Sequence, residues 1–185
     1  ELAAPTVHIW YLRGTRSWLA YLLMGTEPKE ELKAKQLEKV IYFAANLVVS
    51  VDVERRDTDL PNLEAEVLAE REEIEKEREV ELARRMEELE GEISQLEKDG
   101  AKDTEIKARQ KQAEKDLGTI RERYDVELDI LTRSFDEFKS LFSRQIIEDE
   151  MLWRELEDRY GEYFEGGMGA ETIKALINAL DLDEE

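Results

Sequence analysis

His8 is the only histidine in this chain of 185 residues, and there is no cysteine. Neither a Cys/His zinc site nor a dihistidine metal site can be assembled from such a set of side chains, so the chain itself supplies no metal centre of that kind. A serine hydrolase would have to recruit His8 as its base, and no nucleophile-elbow motif lies near it. His8, next but one to Trp10, reads as a structural residue. Asp181 and Asp183 begin like a calcium loop but lack the Gly and the closing Glu that such a loop needs. Gly166, Gly167 and Gly169 lack the Lys and Ser/Thr of a phosphate loop. No catalytic and no metal-ligating residue is therefore assigned. What remains is Arg13 and Arg16, which flank Gly14 and alternate with Tyr11 and Trp18. Guanidinium groups meet phosphates and aromatic rings stack on bases, so this pair is the candidate nucleic-acid contact. The competing reading makes both arginines surface cations on an aromatic core.

Charge argues against general affinity for nucleic acid. With 27 basic and 47 acidic residues the chain carries a formal charge of −20, which repels a polyanion. The charge is concentrated: residues 63–142 hold 25 acidic and 15 basic side chains but few aromatics, whereas residues 1–49 are close to neutral. Trp10, Trp18, Trp153, Tyr160, Tyr163 and Phe164 lie in the two flanks and give them large groups to bury. No apolar run approaches the roughly 20 residues that span a bilayer, and no basic segment leads into an apolar one at the start, so no membrane contact and a cytoplasmic location are expected. The opening Glu1 and the acidic finish suggest a piece of something longer.

The elements that would position these residues follow from periodicity. Val7, Ile9 and Tyr11 alternate with His8, Trp10 and Leu12, which predicts a short strand, and residues 17–24 read as a helix. Leu32, Leu37, Val40, Ile41 and Ala44 share a helical face over 30–45. Val48, Val49, Val51 and Val53 predict a second strand able to pair with the first. Residues 54–59 read as a connector, and Pro61 suits the first turn of a new helix. Towards the other end, a helix is expected from about 148, with Met151, Leu152, Leu156 and Tyr160 at helical spacing. The glycines at 166–169 interrupt it, and a last helix follows over 170–180.

The middle carries a coiled-coil pattern. Val67, Ile74, Leu82, Met86, Leu89, Ile93 and Leu96 form one seam, and Ile106, Ala113, Leu117, Ile120, Tyr124, Leu128, Leu131 and Phe135 form the other. Gly100 lies between them at a natural helix end. Facing residues in an antiparallel hairpin have position numbers with a nearly constant sum. Leu96 with Ile106, Leu89 with Ala113, Leu82 with Ile120, Ile74 with Leu128, and Val67 with Phe135 each sum to 202. The spacing also breaks once in each arm, at 74, 78, 82 and at 120, 124, 128, so the two stutters lie opposite each other and Arg78 faces Tyr124. Phe135, Phe138 and Phe142 are expected to gather at the root of the hairpin. The predicted fold is therefore mostly α with a minor β component: a base from 1–59 and 143–185, with an antiparallel two-helix coiled-coil hairpin inserted over 60–142.

Three strings resemble a known family. HIWYLRG at 8–14, LEKVIYFAANLV at 37–48 and LWRELEDRYGEYFEGGMGAETIKALI at 152–177 are similar to the N-terminal clamp region of the β′ subunit of bacterial DNA-directed RNA polymerase. The central hairpin resembles the helical insertion that actinobacterial β′ subunits carry there. The resemblance departs at Arg16-Ser17-Trp18 and Leu22-Leu23-Met24, where the family reads Pro-Ser-Arg and Leu-Leu-Asp, so no family role passes to Trp18 or Met24.

The resemblance implies a parent nucleotidyltransferase whose Mg and Zn sites lie outside these residues, with no cofactor in this stretch. It further implies the other polymerase subunits and the DNA/RNA hybrid as partners of the parent, and transcription factors as possible contacts of the hairpin. The expected role is a non-catalytic part of the clamp in DNA-templated transcription, its hairpin an acidic protein-contact or guide element. The rival reading is an acidic coiled-coil scaffold or holdase-type chaperone, which predicts apolar residues at the tip, whereas 97–105 is almost wholly polar.

Overall fold

The computed structural model describes residues 4–8 and 34–179. Its elements in chain order are α1 (Ala34–Ile41), β1 (Asn46–Val51), α2 (Val53–Lys98), α3 (Asp103–Ser140), β2 (Ile146–Ile147), α4 (Glu150–Tyr160), β3 (Phe164–Gly167) and α5 (Gly169–Asn178). They pack as two compact units: residues 1–60 with 133–185, and residues 61–132. The expected strand at 7–12 and helix at 17–24 fall largely outside the described residues, as do Arg13 and Arg16; Val7 and His8 are described and are not in a strand.

β1 organises the first unit. Its sequence, NLVVSV, is rich in β-branched residues and is buried at its first four positions, which places it at the centre of a sheet of order β2-β1-β3 with both pairings antiparallel. Asn46 pairs with Ile147 and Leu47 with Ile146 on one edge, while Val48 pairs with Gly166 and Val51 with Phe164 on the other. A register shift between Val48 and Ser50 marks a bulge. Among the described residues both partners of β1 therefore come from the C-terminal flank, whereas the sequence pattern suggests residues 7–12, of which 9–12 lie outside the described residues. The helix-breaking glycines at 166–167 are strand residues, because Gly166 lets a bulky ring cross the sheet. A Cβ there would lie 2.5 Å from the Leu47 carbonyl oxygen and 2.7 Å from Trp153 Cη2.

Each face of β1 is covered. Leu47 and Val49 form a core with Leu37 and Val40 of α1 and with Ile173 and Leu176 of α5. Elsewhere in this unit Trp153 of α4 meets Phe164 edge-on at 5.4 Å, and Phe138 stacks on Tyr160 at 4.1 Å and meets Tyr163 edge-on at 5.3 Å. Phe135 lies 6.3 Å from Tyr160. Phe142, expected beside them, is instead 43% exposed. It lies past the end of α3, where the chain turns and its backbone N–H donates to the Gln145 side chain.

α2 starts earlier than its sequence suggests. Asp52 accepts a hydrogen bond from the Arg55 backbone N–H at 3.0 Å, a side-chain cap, and its own N–H donates to the Tyr163 carbonyl. Arg55 pairs with Glu162 at 2.6 Å, and Arg56 donates to the Leu141 carbonyl at 2.7 Å. These anchors make 53–59 helical, so Pro61 lies inside the helix instead of opening one. The loss is limited to one backbone donor and its crowding of the preceding turn. Asp149 caps α4 in the same manner, accepting from Met151 and Leu152 N–H, and it pairs with Arg133 at 2.8 Å. That Arg133 guanidinium, with the backbone donors, holds the Asp149 carboxyl below its ordinary pKa.

The second unit is built from the two long helices, joined at 99–102. Gly100 has φ +73°, and the Gly100 N–H bonds to the Glu97 carbonyl while the Ala101 N–H bonds to the Leu96 carbonyl. That pairing is a Schellman motif, which satisfies the last carbonyls of α2 and turns the chain. Ile74, Tyr124 and Leu131 form its buried cluster, with Val67, Ile120 and Leu128 packed around them. No described helix is long and apolar enough to cross a membrane.

Two glycine predictions follow. Gly166→Ala should destabilise the first unit by about 1–3 kcal/mol through overpacking, seen as a lowered thermal midpoint by near-UV circular dichroism of the tryptophans; an unchanged midpoint would refute the close approach. Gly91 and Gly118 meet nothing within 4 Å of an added Cβ. Changing either to Ala should stabilise the hairpin by roughly 0.5–1 kcal/mol, while Gly100→Ala should destabilise it by a similar amount, as read from urea midpoints at 222 nm.

Candidate interaction surface on the helical hairpin

The apolar positions anticipated for the seam are placed as follows. Ile74, Leu89, Ala113, Tyr124, Leu131 and Phe135 are buried. Val67, Leu82, Ile93, Leu96, Ile106, Leu117, Ile120 and Leu128 are half-buried, the level a two-helix contact provides. Met86 is 46% exposed. Its neighbour Arg85 is turned towards α3 instead, at 26% side-chain exposure, and pairs with Asp116 at 3.1 Å.

Polar contacts between the helices define the rest of this surface. Glu92 pairs with Arg109, Arg85 with Asp116, Glu81 with Arg123, and Arg78 with Asp125. Around Arg85 the charges share partners: Glu88 lies 3.0 Å from it and Glu92 3.8 Å, and Asp116 also meets Arg109 at 3.7 Å. Leu89 and Ala113 sit between two of these pairs, so the apolar layer is bracketed by charge. At the stutter the Tyr124 hydroxyl donates to Glu81 at 2.6 Å, and the Arg123 guanidinium lies 4.8 Å from the Tyr124 ring centroid. A phenol at a seam position needs a partner for its oxygen, and Glu81 supplies it. Arg78, expected opposite Tyr124, reaches the adjacent Asp125 instead.

Proton affinity follows these contacts. The hydrogen bond from Tyr124, then the charge of Arg123, holds the Glu81 carboxyl below its ordinary pKa. The same bond raises the Tyr124 phenol. Asp116 is lowered first by Gln112 and then by Arg85. Beside Glu81 lies an open groove of about 510 Å³, lined by Glu73, Lys76, Glu77, Val80, Arg84 and Tyr124. Val80 is largely exposed there. Charges of both signs around an apolar patch suit contact with a protein surface better than chemistry on a small molecule. Among the described residues no group of three or more His, Asp or Glu could hold a metal ion.

The interhelical ion pairs were legible in principle. The sequence pattern assigns the hairpin carboxylates to solvated positions and i,i+4 pairing. Applying the constant-sum rule to charges as well as to apolar residues would have matched 85 with 116, 92 with 109 and 78 with 125.

A depressed carboxylate pKa contributes stability that is complete above the unfolded value and lost as pH falls through the folded one. The hairpin should therefore lose thermal stability as pH drops below the ordinary carboxylate value, 4.5 for Glu81 and 3.8 for Asp116. Replacing both, Glu81→Gln with Asp116→Asn, should flatten that acid limb in melts at 222 nm from neutral pH downward. Parallel curves for the parent and the double variant would refute the assignment.

No protein-family profile matches the chain. Individual proteins do. Across its 185 residues it is 48% identical to the DNA-directed RNA polymerase subunit beta' of Corynebacterium jeikeium and 46% identical to that of Beutenbergia cavernae. The subunit beta' of Streptomyces coelicolor is 46% identical over 186 aligned residues. In each case all of this chain is matched, and it spans 14% of the relative's length. None of these names supports the scaffold or chaperone reading. From its first residue to its last, the chain is a homologue of one segment of the DNA-directed RNA polymerase β′ subunit.

Proposed function

We propose that the chain acts as a non-catalytic part of the clamp in a β′ subunit, used in DNA-templated transcription. One observation carries this reading: identity of 46–48% to β′ subunits over the full length of the chain. Residues 1–59 and 143–185 serve as the clamp base and 60–142 as an inserted antiparallel hairpin, whose seam runs through the apolar positions named above. Nucleotide addition belongs to the parent enzyme, a cytoplasmic nucleotidyltransferase whose Mg and Zn sites lie elsewhere in the subunit. Its partners are the other polymerase subunits and the DNA/RNA hybrid. Arg13 and Arg16 stand as the candidates for nucleic-acid contact in this stretch.

The hairpin is the part offered to proteins. Residues 63–142 carry a net charge of −10, and both the mixed-charge groove beside Tyr124 and the polar turn at Gly100 favour a protein factor over DNA. Deleting 61–132, the second unit alone, from the intact polymerase should leave nucleotide addition on a preassembled DNA/RNA hybrid within about twofold, or about 0.4 kcal/mol in barrier, while changing promoter initiation or its response to factors. Loss of all nucleotide addition, or undisturbed initiation with every factor, would contradict the assignment.

A further inference from the structure

We infer that Tyr42 and Phe43 form a docking surface for a part of the β′ subunit that lies outside this chain, with the Phe43 ring as its anchor. The inference rests on the reading of the chain as a segment of that subunit. Its starting point is the backbone. At the end of α1 the Phe43 N–H bonds to the Val40 carbonyl and the Ala44 N–H to the Lys39 carbonyl, a second Schellman motif. The residue at its turning point must be left-handed, and Phe43 has φ +59°. Glycine takes this position without steric cost, whereas a phenylalanine there is an outlier. A large ring that forces such a backbone usually gains it back by burial. Here it does not, since Phe43 is 71% exposed.

The ring is nevertheless positioned. One edge lies on Gly169, at the first turn of α5, where an added Cβ would come within 2.9 Å of Phe43 Cζ. Gly169 is itself left-handed, at φ +85°. Two backbone positions are thus committed to holding one ring whose remaining surface faces outwards. Tyr42, the preceding residue, is 69% exposed, a second aromatic side chain at the surface. Next to Gly169, Ala170 lines a groove of about 520 Å³ in which Pro5, Val7, Ile173 and Ile177 supply apolar surface and Thr6, His8 and Lys174 polar groups. Strain held without burial, on an exposed aromatic ring, is what a surface looks like when its cover is missing.

The occupant follows from the comparison with relatives. Each matched β′ subunit has 14% of its length in this stretch, so most of the polypeptide it folds with lies outside it. An apolar segment of that same subunit is the cover committed to here. Aromatic side chains dominate such contacts because they bury a large area with little loss of rotamer freedom.

The test places the photocrosslinking amino acid p-benzoylphenylalanine at position 43 of a tagged full-length β′ subunit assembled into polymerase, and maps the crosslinked peptide. The expected peptide comes from β′ residues outside this stretch. A crosslink confined to the stretch itself, including its residues 9–33, or to another subunit, or the absence of any crosslink, overturns the inference while leaving the function reading intact. A tagged subunit that fails to copurify with the other polymerase subunits overturns both. Phe43→Gly supplies a second readout. Relief of the left-handed strain should leave the thermal midpoint of the 185-residue chain unchanged or raise it by a few degrees, whereas in the assembled enzyme the midpoint should fall. A fall in both would show that the ring serves this fold alone.

Discussion

A central β-strand must have its backbone hydrogen bonds met along both edges, and β1 obtains both sets from residues about a hundred positions later in the chain. Val48 N–H donates to the Gln145 carbonyl at 2.9 Å, and Arg144 N–H donates back to the Val48 carbonyl at 2.8 Å. Asp52 N–H donates to the Tyr163 carbonyl at 2.8 Å. Everything between 53 and 143 is therefore an excursion that has to return to where it began. Two antiparallel helices satisfy that demand with every interior backbone group paired within its own helix. The cap at Asp52 and the Schellman turn at Gly100 fix where the excursion starts and where it reverses.

The two units are stabilised by different means. The first buries large rings and branched aliphatic side chains around β1, each worth about 1.5–3 kcal/mol when fully buried, so packing dominates. In the second, most seam residues are only half-buried, and charge contributes to which arrangement forms. Exposed ion pairs are individually worth little, typically 0–1 kcal/mol. Their value is in register: Arg85 with Asp116 and Glu92 with Arg109 are met together only when the helices run antiparallel in this alignment. A slip of one residue would separate both pairs and move the apolar layer between them.

How much of this was legible in the sequence depends on the range of the contact. The hairpin was readable because the constant-sum rule is a local signal repeated many times, and Gly100 marks its turn. Met86 was misjudged because heptad spacing does not distinguish it from Arg85, whose long side chain lies across the seam and brings its charge to Asp116. The sheet was harder. β2 has two residues and β3 contains two glycines, so neither carries a strand pattern, and Val48 to Val53 looked for a partner in the nearest alternating segment. Pro61 misled for a related reason: a cap at Asp52 and arginines bound to the distant Glu162 and Leu141 hold 53–59 in a helix that local propensity does not suggest. Arg13 and Arg16, the residues the sequence offered for nucleic-acid contact, lie outside the described residues. The family, by contrast, was legible from three short strings.

The sheet on which this account depends is open to direct observation by nuclear Overhauser spectroscopy of the isotopically labelled chain. Cross-strand backbone contacts between Asn46 and Ile147, and between Val51 and Phe164, are the predicted result. Contacts from 46–51 to residues 7–12 in place of either pairing would contradict it.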